Sequence, residues 1–174
     1  RQMCIRDRFY GFPKASLAVN IQNFGNWNNS TIDQLKLRAA YGETGSSASF
    51  GSIFTSLNSV AIGGVGGSTI ASLRGDANIE PETSQELEVG VDLRFVEKIG
   101  LELTYYNRNV EDLILSRSLP TSSGFSRETT NLADLENKGL EVGININAFD
   151  NERFSWNSGI QFWFNRSEIT RLDV

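Results

Sequence analysis

Histidine is absent from the 174-residue chain, and cysteine occurs once. The first absence removes Ser-His-Asp and Cys-His catalysis and any zinc site built on imidazole. The second leaves no internal disulfide and no CxxC pair, so neither a disulfide scaffold nor a thiolate metal cluster is available. Long apolar runs are missing too: none approaches the roughly 18 residues of a membrane-spanning helix, and no basic-then-apolar signal peptide is seen. Basic clusters are scarce. Sixteen Lys plus Arg stand against twenty-one Asp plus Glu, a net charge of -5, with no block to neutralise the phosphates of a nucleic acid. What remains is 39% hydrophobic and 21% charged, too apolar and too weakly charged for a disordered tail. A closed β-barrel satisfies its backbone in lipid without any helix, so the pattern of strands has to decide.

Residues 1–8, RQMCIRDR, hold the one Cys and the one Met and fit no strand pattern. They read as a non-native leader, the translation of a sequencing adapter, and are set aside from the fold. From Phe9 to the end the apolar period is two. In Ser84 to Phe95 the residues Leu87, Val89, Val91, Leu93 and Phe95 share one face, and Glu86, Glu88, Gly90, Asp92 and Arg94 share the other. Lys138 to Ala148 repeats the rule, with Leu140, Val142, Ile144 and Ile146 against Glu141, Gly143, Asn145 and Asn147. Gly and Asn are poor strand formers, so their tolerance implies one wet face and one apolar face. Weaker alternation around Leu17–Ile21, Leu35–Tyr41, Leu101–Tyr106 and Phe154–Phe162 brings the count to six strands, with no convincing helix.

The connections read medium (23–33), very long (43–83), short (96–98), long (117–135) and short (150–152). Structureless loops of that size count against a compact soluble domain. Outer-membrane barrels have short turns on the periplasmic side and long loops outside, and six up-and-down strands put both long loops on one side. Aromatics collect at the short turns: Phe149, Phe154 and Trp156 around 150–152, Phe95 at 96–98, Phe24 and Trp27 in the first. They suit an interfacial girdle, the preferred reading over aromatics that close the end of a soluble sheet. The fold expected is all-β, an antiparallel, up-and-down transmembrane β-barrel segment of residues 9–174.

Chemistry is sparse. Glu86, Glu88 and Asp92 share a face at about 7 Å per i, i+2 step, which invites an acid–base pair. The preferred reading is side chains in a watery lumen, with Arg94 near Glu102 across the hairpin. The lumen-facing set is Glu86, Glu88, Asp92, Arg94, Glu102, Glu141, Asn145 and Asn147. The lipid-facing set is Leu87, Val89, Val91, Leu93, Leu140, Val142, Ile144 and Ile146. Gly63-Gly64-Val65-Gly66-Gly67 lacks phosphate-cradle spacing and precedes no Lys, so it reads as a flexible stretch of the long loop. No catalytic residue, metal ligand or cofactor is expected. Phe50, Phe54 and Phe125 in the long loops are the candidate ligand contacts, since binding concentrates on loops held by rigid scaffolds.

Five segments, taken in order, carry a resemblance: LKLRAAYGETG from Leu35, NIEPETSQELEVGVDLRF from Asn78, GLELTYYNRNVEDLIL from Gly100, SLPTSSGF from Ser118 and ENKGLEVGININAF from Glu136. Together they resemble the C-terminal part of SusC/RagA-type TonB-dependent transporters of the Bacteroidetes outer membrane. The resemblance implies a barrel of about 22 strands, of which this chain supplies about six. It further implies a SusD-type lipoprotein lid, a glycan or peptide ligand, and coupling to the TonB complex through an N-terminal plug that this sequence does not contain, so an internal fragment is expected. A passive porin and a non-transporting, adhesive surface sheet are the alternatives.

Overall fold

The computed structural model describes residues 10–25, 27, 29 and 31–173; the expectation for residues 1–8 lies outside them. The strands are β1 (Lys14–Asn20), β2 (Ile32–Ser46), β3 (Leu57–Ile62), β4 (Val65–Ile70), β5 (Leu73–Arg74), β6 (Glu82–Phe95), β7 (Ile99–Ser118), β8 (Arg127–Asn151) and β9 (Phe154–Leu172). β1, β2, β6, β7, β8 and β9 follow one another across an antiparallel sheet, and β3 and β4 form a separate hairpin. Short β5 lies parallel to the outer end of β8. The connections 47–81 and 119–126 leave one end of the sheet, and the turns 21–31, 96–98 and 152–153 leave the other.

Strand pairing turns sequence alternation into rows that cross the sheet. On one face three consecutive rows are apolar on all five strands from β2 to β9: Ala39–Val89–Tyr105–Leu140–Phe164, Leu37–Val91–Leu103–Val142–Phe162 and Leu35–Leu93–Leu101–Ile144–Ile160. Toward the loop end the next row is Tyr41–Leu87–Asn107–Lys138–Arg166, and the one beyond is Glu43–Gln85–Asn109–Glu136–Glu168. The apolar edge therefore stands one row higher on β2 and β6 than on β7 to β9. At the turn end it reaches lowest on β8 and β9, where Phe149 and Trp156 stack with ring centroids 6.1 Å apart. Both edges shift in the same sense, as they must when strands are inclined to a level band. From Leu87 to Phe95 the band runs eight residue steps, about 26 Å along the strand and about 20 Å once the strand is tilted, close to the apolar height of an outer-membrane barrel.

Three expectations change. The connection expected over 43–83 is largely ordered: β2 continues to Ser46, β6 begins at Glu82, and β3 and β4 close around Gly63 and Gly64, whose φ values are 60° and 83°. The glycine run is therefore a hairpin with its tight turn rather than a flexible stretch, since two left-handed residues match the twist of the flanking strands. The connection expected over 117–135 shrinks to 119–126, because β7 and β8 keep pairing where alternation has faded. Ile21 opens a short 3₁₀ turn, Ile21–Asn23, instead of extending β1.

Candidate functional site

The other face of the sheet is polar, and it is organised by two long side chains that lie across glycines. Arg38 on β2 pairs with Gly90 on β6, and a β-carbon at Gly90 would stand 2.8 Å from Arg38 Nη2. The missing side chain lets the guanidinium cross β6. Its Nε donates to Asp92 Oδ1 at 3.0 Å, its Nη1 to Glu88 Oε1 at 3.4 Å, and its Nη2 to Thr104 Oγ1 on β7 at 3.1 Å. Lys36 Nζ adds a contact of 3.5 Å to Asp92 Oδ2. Tyr106 repeats the device over Gly139, where an added β-carbon would meet its hydroxyl at 2.6 Å, and donates to Asn165 Oδ1 on β9 at 3.2 Å. Arg108 Nε reaches Ser84 Oγ at 2.8 Å. Hydrogen-bonded charge pairs of this kind stiffen the wall and give Glu88 and Asp92 cationic partners.

Register places Glu86, Glu88, Asp92, Arg94, Glu102, Glu141 and Asn145 on this polar face, and Asn147 continues it on β8. Leu87, Val89, Val91, Leu93, Leu140, Val142, Ile144 and Ile146 lie on the apolar face. The 96–98 turn is the one expected: Val96, Glu97 and Lys98 lie between the paired Phe95 and Ile99, which sets Arg94 opposite Gly100 and diagonal to Glu102 on the same face. Glu102 stands opposite Asp92, whose charge is met from β2.

Replacing Gly90 tests this arrangement. In the receptor carrying Gly90→Leu, Arg38 has to leave Asp92 and Thr104. Equilibrium unfolding in detergent is expected to show a loss of about 1 kcal/mol, small because the groups are partly exposed and screened. Combining it with Arg38→Ala should add almost nothing further. Additive losses in that double-mutant cycle would show that Gly90 acts independently of Arg38.

The loop end holds a second cluster that the sequence did not reveal. Glu128 is 3% exposed and receives Arg117 Nε at 3.0 Å and Nη2 at 2.9 Å on Oε2. Arg74 Nε donates to Oε1 at 2.6 Å, and Arg74 Nη2 also contacts that oxygen. The carbonyl of Ser72 accepts Ser126 N at 2.8 Å, Asp76 bonds Thr130, and Asn131 exchanges side-chain hydrogen bonds with the backbone of Glu80. The connection that leaves β2 is thereby fastened to β8. Nearby, Ala71, Val110, Leu132 and Ala133 are the buried apolar residues among those described. Above the apolar band, Glu136 accepts from Lys138 Nζ at 2.9 Å, and this hydrogen bond holds its carboxyl below the usual range.

Of the three candidate ligand contacts, Phe50 and Phe54 line one cavity of about 600 Å³ with Tyr10, Phe12, Asn78 and Glu80. Phe50 is fully exposed and Phe54 more than half exposed. Phe125 is half-buried in the 119–126 turn and does not line it. The sequence did carry a signal for the hairpin beside them, a Gly-Gly pair flanked by apolar residues. It carried none for Glu128, one carboxylate among many.

An up-and-down antiparallel sheet with a level apolar band on one face and a charged opposite face is a wall segment of a transmembrane β-barrel. The chain belongs to the family described as TonB dependent receptor-like, beta-barrel, whose model matches residues 6–172. Two TonB-dependent receptors of Formosa agariphila are 32% and 31% identical over 95% of the chain, and the TonB-dependent receptor SusC of Bacteroides thetaiotaomicron is 29% identical over 95%. The chain spans only 16 to 18% of the length of these relatives. Among solved structures, the RagAB peptide importer in its closed-closed state superposes with a TM-score of 0.84 at 20% identity, covering 94% of this chain and 18% of that one. This likeness shows the fold.

Proposed function

We propose that the chain forms part of the barrel wall of an outer-membrane, TonB-dependent nutrient importer. The observation that carries the reading is the band of three unbroken apolar rows, inclined to the strands and bounded by polar rows, in a member of this receptor family. Leu87, Val89, Val91, Leu93, Leu140, Val142, Ile144 and Ile146 then face lipid. Glu86, Glu88, Asp92, Arg94, Glu102, Glu141, Asn145 and Asn147 face a watery lumen, where Arg38 and Tyr106 brace them. The 47–81 and 119–126 connections face the cell exterior. A glycan or peptide ligand, or a SusD-type lipoprotein lid, meets Phe50, Phe54 and Phe125 there, and coupling to the TonB complex runs through parts of the receptor beyond this segment. Similarity to SusC and to a peptide importer supports the uptake of nutrients without choosing between those ligand classes.

Single-cysteine variants of the receptor in intact outer membranes test the reading. A lipid-soluble thiol reagent is expected to modify Val89→Cys, Val142→Cys and Ile144→Cys, and to spare Glu88→Cys and Glu141→Cys. A membrane-impermeant reagent added to whole cells should reach Phe50→Cys. Modification of the alternate polar positions by the lipid-soluble reagent would reverse the faces and end this proposal.

A further inference from the structure

The row just beyond the apolar band on β7 to β9 carries a feature that barrel closure does not require. Lys138 on β8 and Arg166 on β9 are directly paired across the strands. Two like charges opposite one another repel, yet they occupy neighbouring positions on the outward face. Their row holds Tyr41, Leu87 and Asn107 on the other strands, so the two cations are its charged groups among the described residues. Immediately below lie Leu140 and Phe164, and immediately above lie Glu136 and Glu168. From the band outward both strands thus read apolar, basic, acidic.

We propose that Lys138 and Arg166 bind the phosphate of a lipid headgroup in the leaflet at the loop end, held between their two side chains at the upper edge of the apolar band. The proposal rests on the membrane reading above and deepens it. With the apolar rows in hydrocarbon, this row lies at headgroup level. Lys138 gives one hydrogen bond to Glu136 at 2.9 Å, and Arg166 one to Glu168 at 3.1 Å. An ammonium has three N–H groups and a guanidinium five, so donors remain for phosphate oxygens on both sides of the pair. Lys138, which has paired strands on both sides, is 38% exposed at its side chain, so the row is open from outside.

The neighbouring acids also identify the source of the phosphate. Glu136 and Glu168 neutralise the cluster over its outer side, so a free anion arriving from solution meets little net attraction. A phosphate anchored by acyl chains against Phe164 and Leu140 is delivered from below at high effective concentration and approaches the basic row before the acidic one. The bases lie between hydrocarbon and carboxylates, an order that favours an amphiphile over a solute.

The test uses the whole receptor in nanodiscs containing either phosphorylated lipid A or the same lipid with its phosphates removed, followed by gentle detergent release and native mass spectrometry. Wild type is expected to retain the phosphorylated lipid at least tenfold more than the dephosphorylated one. The variant Lys138→Gln/Arg166→Gln should lose that preference, and Lys36→Gln on the polar face should keep it. Millimolar inorganic phosphate should leave the bound lipid in place. Equal retention of both lipids by wild type, an unchanged preference in the double variant, or displacement by inorganic phosphate would each overturn the site. Labelling of Val142→Cys by the lipid-soluble reagent in the same samples separates the two readings. If the Val142→Cys receptor is labelled while the lipid preference is absent, only the headgroup site fails; if that receptor is not labelled, the wall assignment fails.

Discussion

Separated from the rest of its barrel and placed in water without detergent, the chain is expected to aggregate rather than yield a monodisperse folded species. Its accessible surface is 13088 Å², against about 8,500 Å² expected of a compact monomer of this mass. The excess is not loop alone. Leu37, Val89, Leu103, Ile160, Phe162 and Phe164 on the apolar face are all exposed by more than a third, and together with their neighbours they form a patch far larger than soluble monomers carry. The sheet also ends on β9, a 19-residue edge strand with one row of backbone donors and acceptors unpaired. Long apolar edges of this kind template further pairing. Size-exclusion chromatography and sedimentation check the expectation, with detergent above its micelle concentration as the condition that should suppress the aggregates. A single cooperative unfolding transition from a monomer in plain buffer would mean that this face is covered by protein, and the barrel-wall argument would lose its foundation.

That foundation was legible in the sequence wherever the two faces of a strand meet different media. Alternation predicts a strand over Ser84 to Phe95, observed as Glu82–Phe95, and another over Lys138 to Ala148, which lies within Arg127–Asn151. Both are places where valines and leucines alternate with glutamates, glycines and asparagines. Within the connection expected over 117–135 the outer part of β8 is strand, and alternation fails there because Leu132 and Ala133, consecutive in the chain, are both buried at a register irregularity. Backbone pairing does not need alternation, and β7 runs on to Ser118 through an irregularity between Val110 and Ile114, where Asp112 takes a φ of 56°. Bulges of that sort shift every later residue to the opposite face, which breaks a period-two reading. The sites fared differently again. The charges on the polar face could be named from alternation, but their partners could not. Arg38 reaches two strands away only because residue 90 is glycine, and that contact depends on a register no single strand encodes.

Glu128 is where the largest single-residue effect is expected. It is a nearly buried carboxylate between two guanidiniums, and it joins three segments: Arg74 from the long 47–81 connection, Arg117 from β7, and its own strand β8. Strand β5 is only two residues long, too short to hold itself on the sheet edge, so this carboxylate carries the charged part of an anchorage that the Ser72 carbonyl, Asp76–Thr130 and Asn131–Glu80 complete. Glu128→Ala leaves two cations facing each other beside a vacated space. Breaking a buried pair by removing one partner costs about 3–5 kcal/mol, and because both arginines are roughly two-fifths exposed they recover hydration, so about 2 kcal/mol is expected here. The loss should be local. Hydrogen exchange at Leu73 to Asp76 is expected to accelerate by more than tenfold in the receptor, and limited proteolysis should open within 47–81, while β6 and the lower half of β8 stay protected. Glu128→Gln keeps an acceptor oxygen and should fall between the two. On the function proposed above, in which Phe50 and Phe54 on the same connection meet the ligand, ligand uptake should weaken in parallel with the loosened exchange. Exchange at Leu73 to Asp76 that is indifferent to Glu128→Ala would mean that the hairpin and its turn hold this connection unaided, and the anchoring role assigned to Glu128 would be wrong.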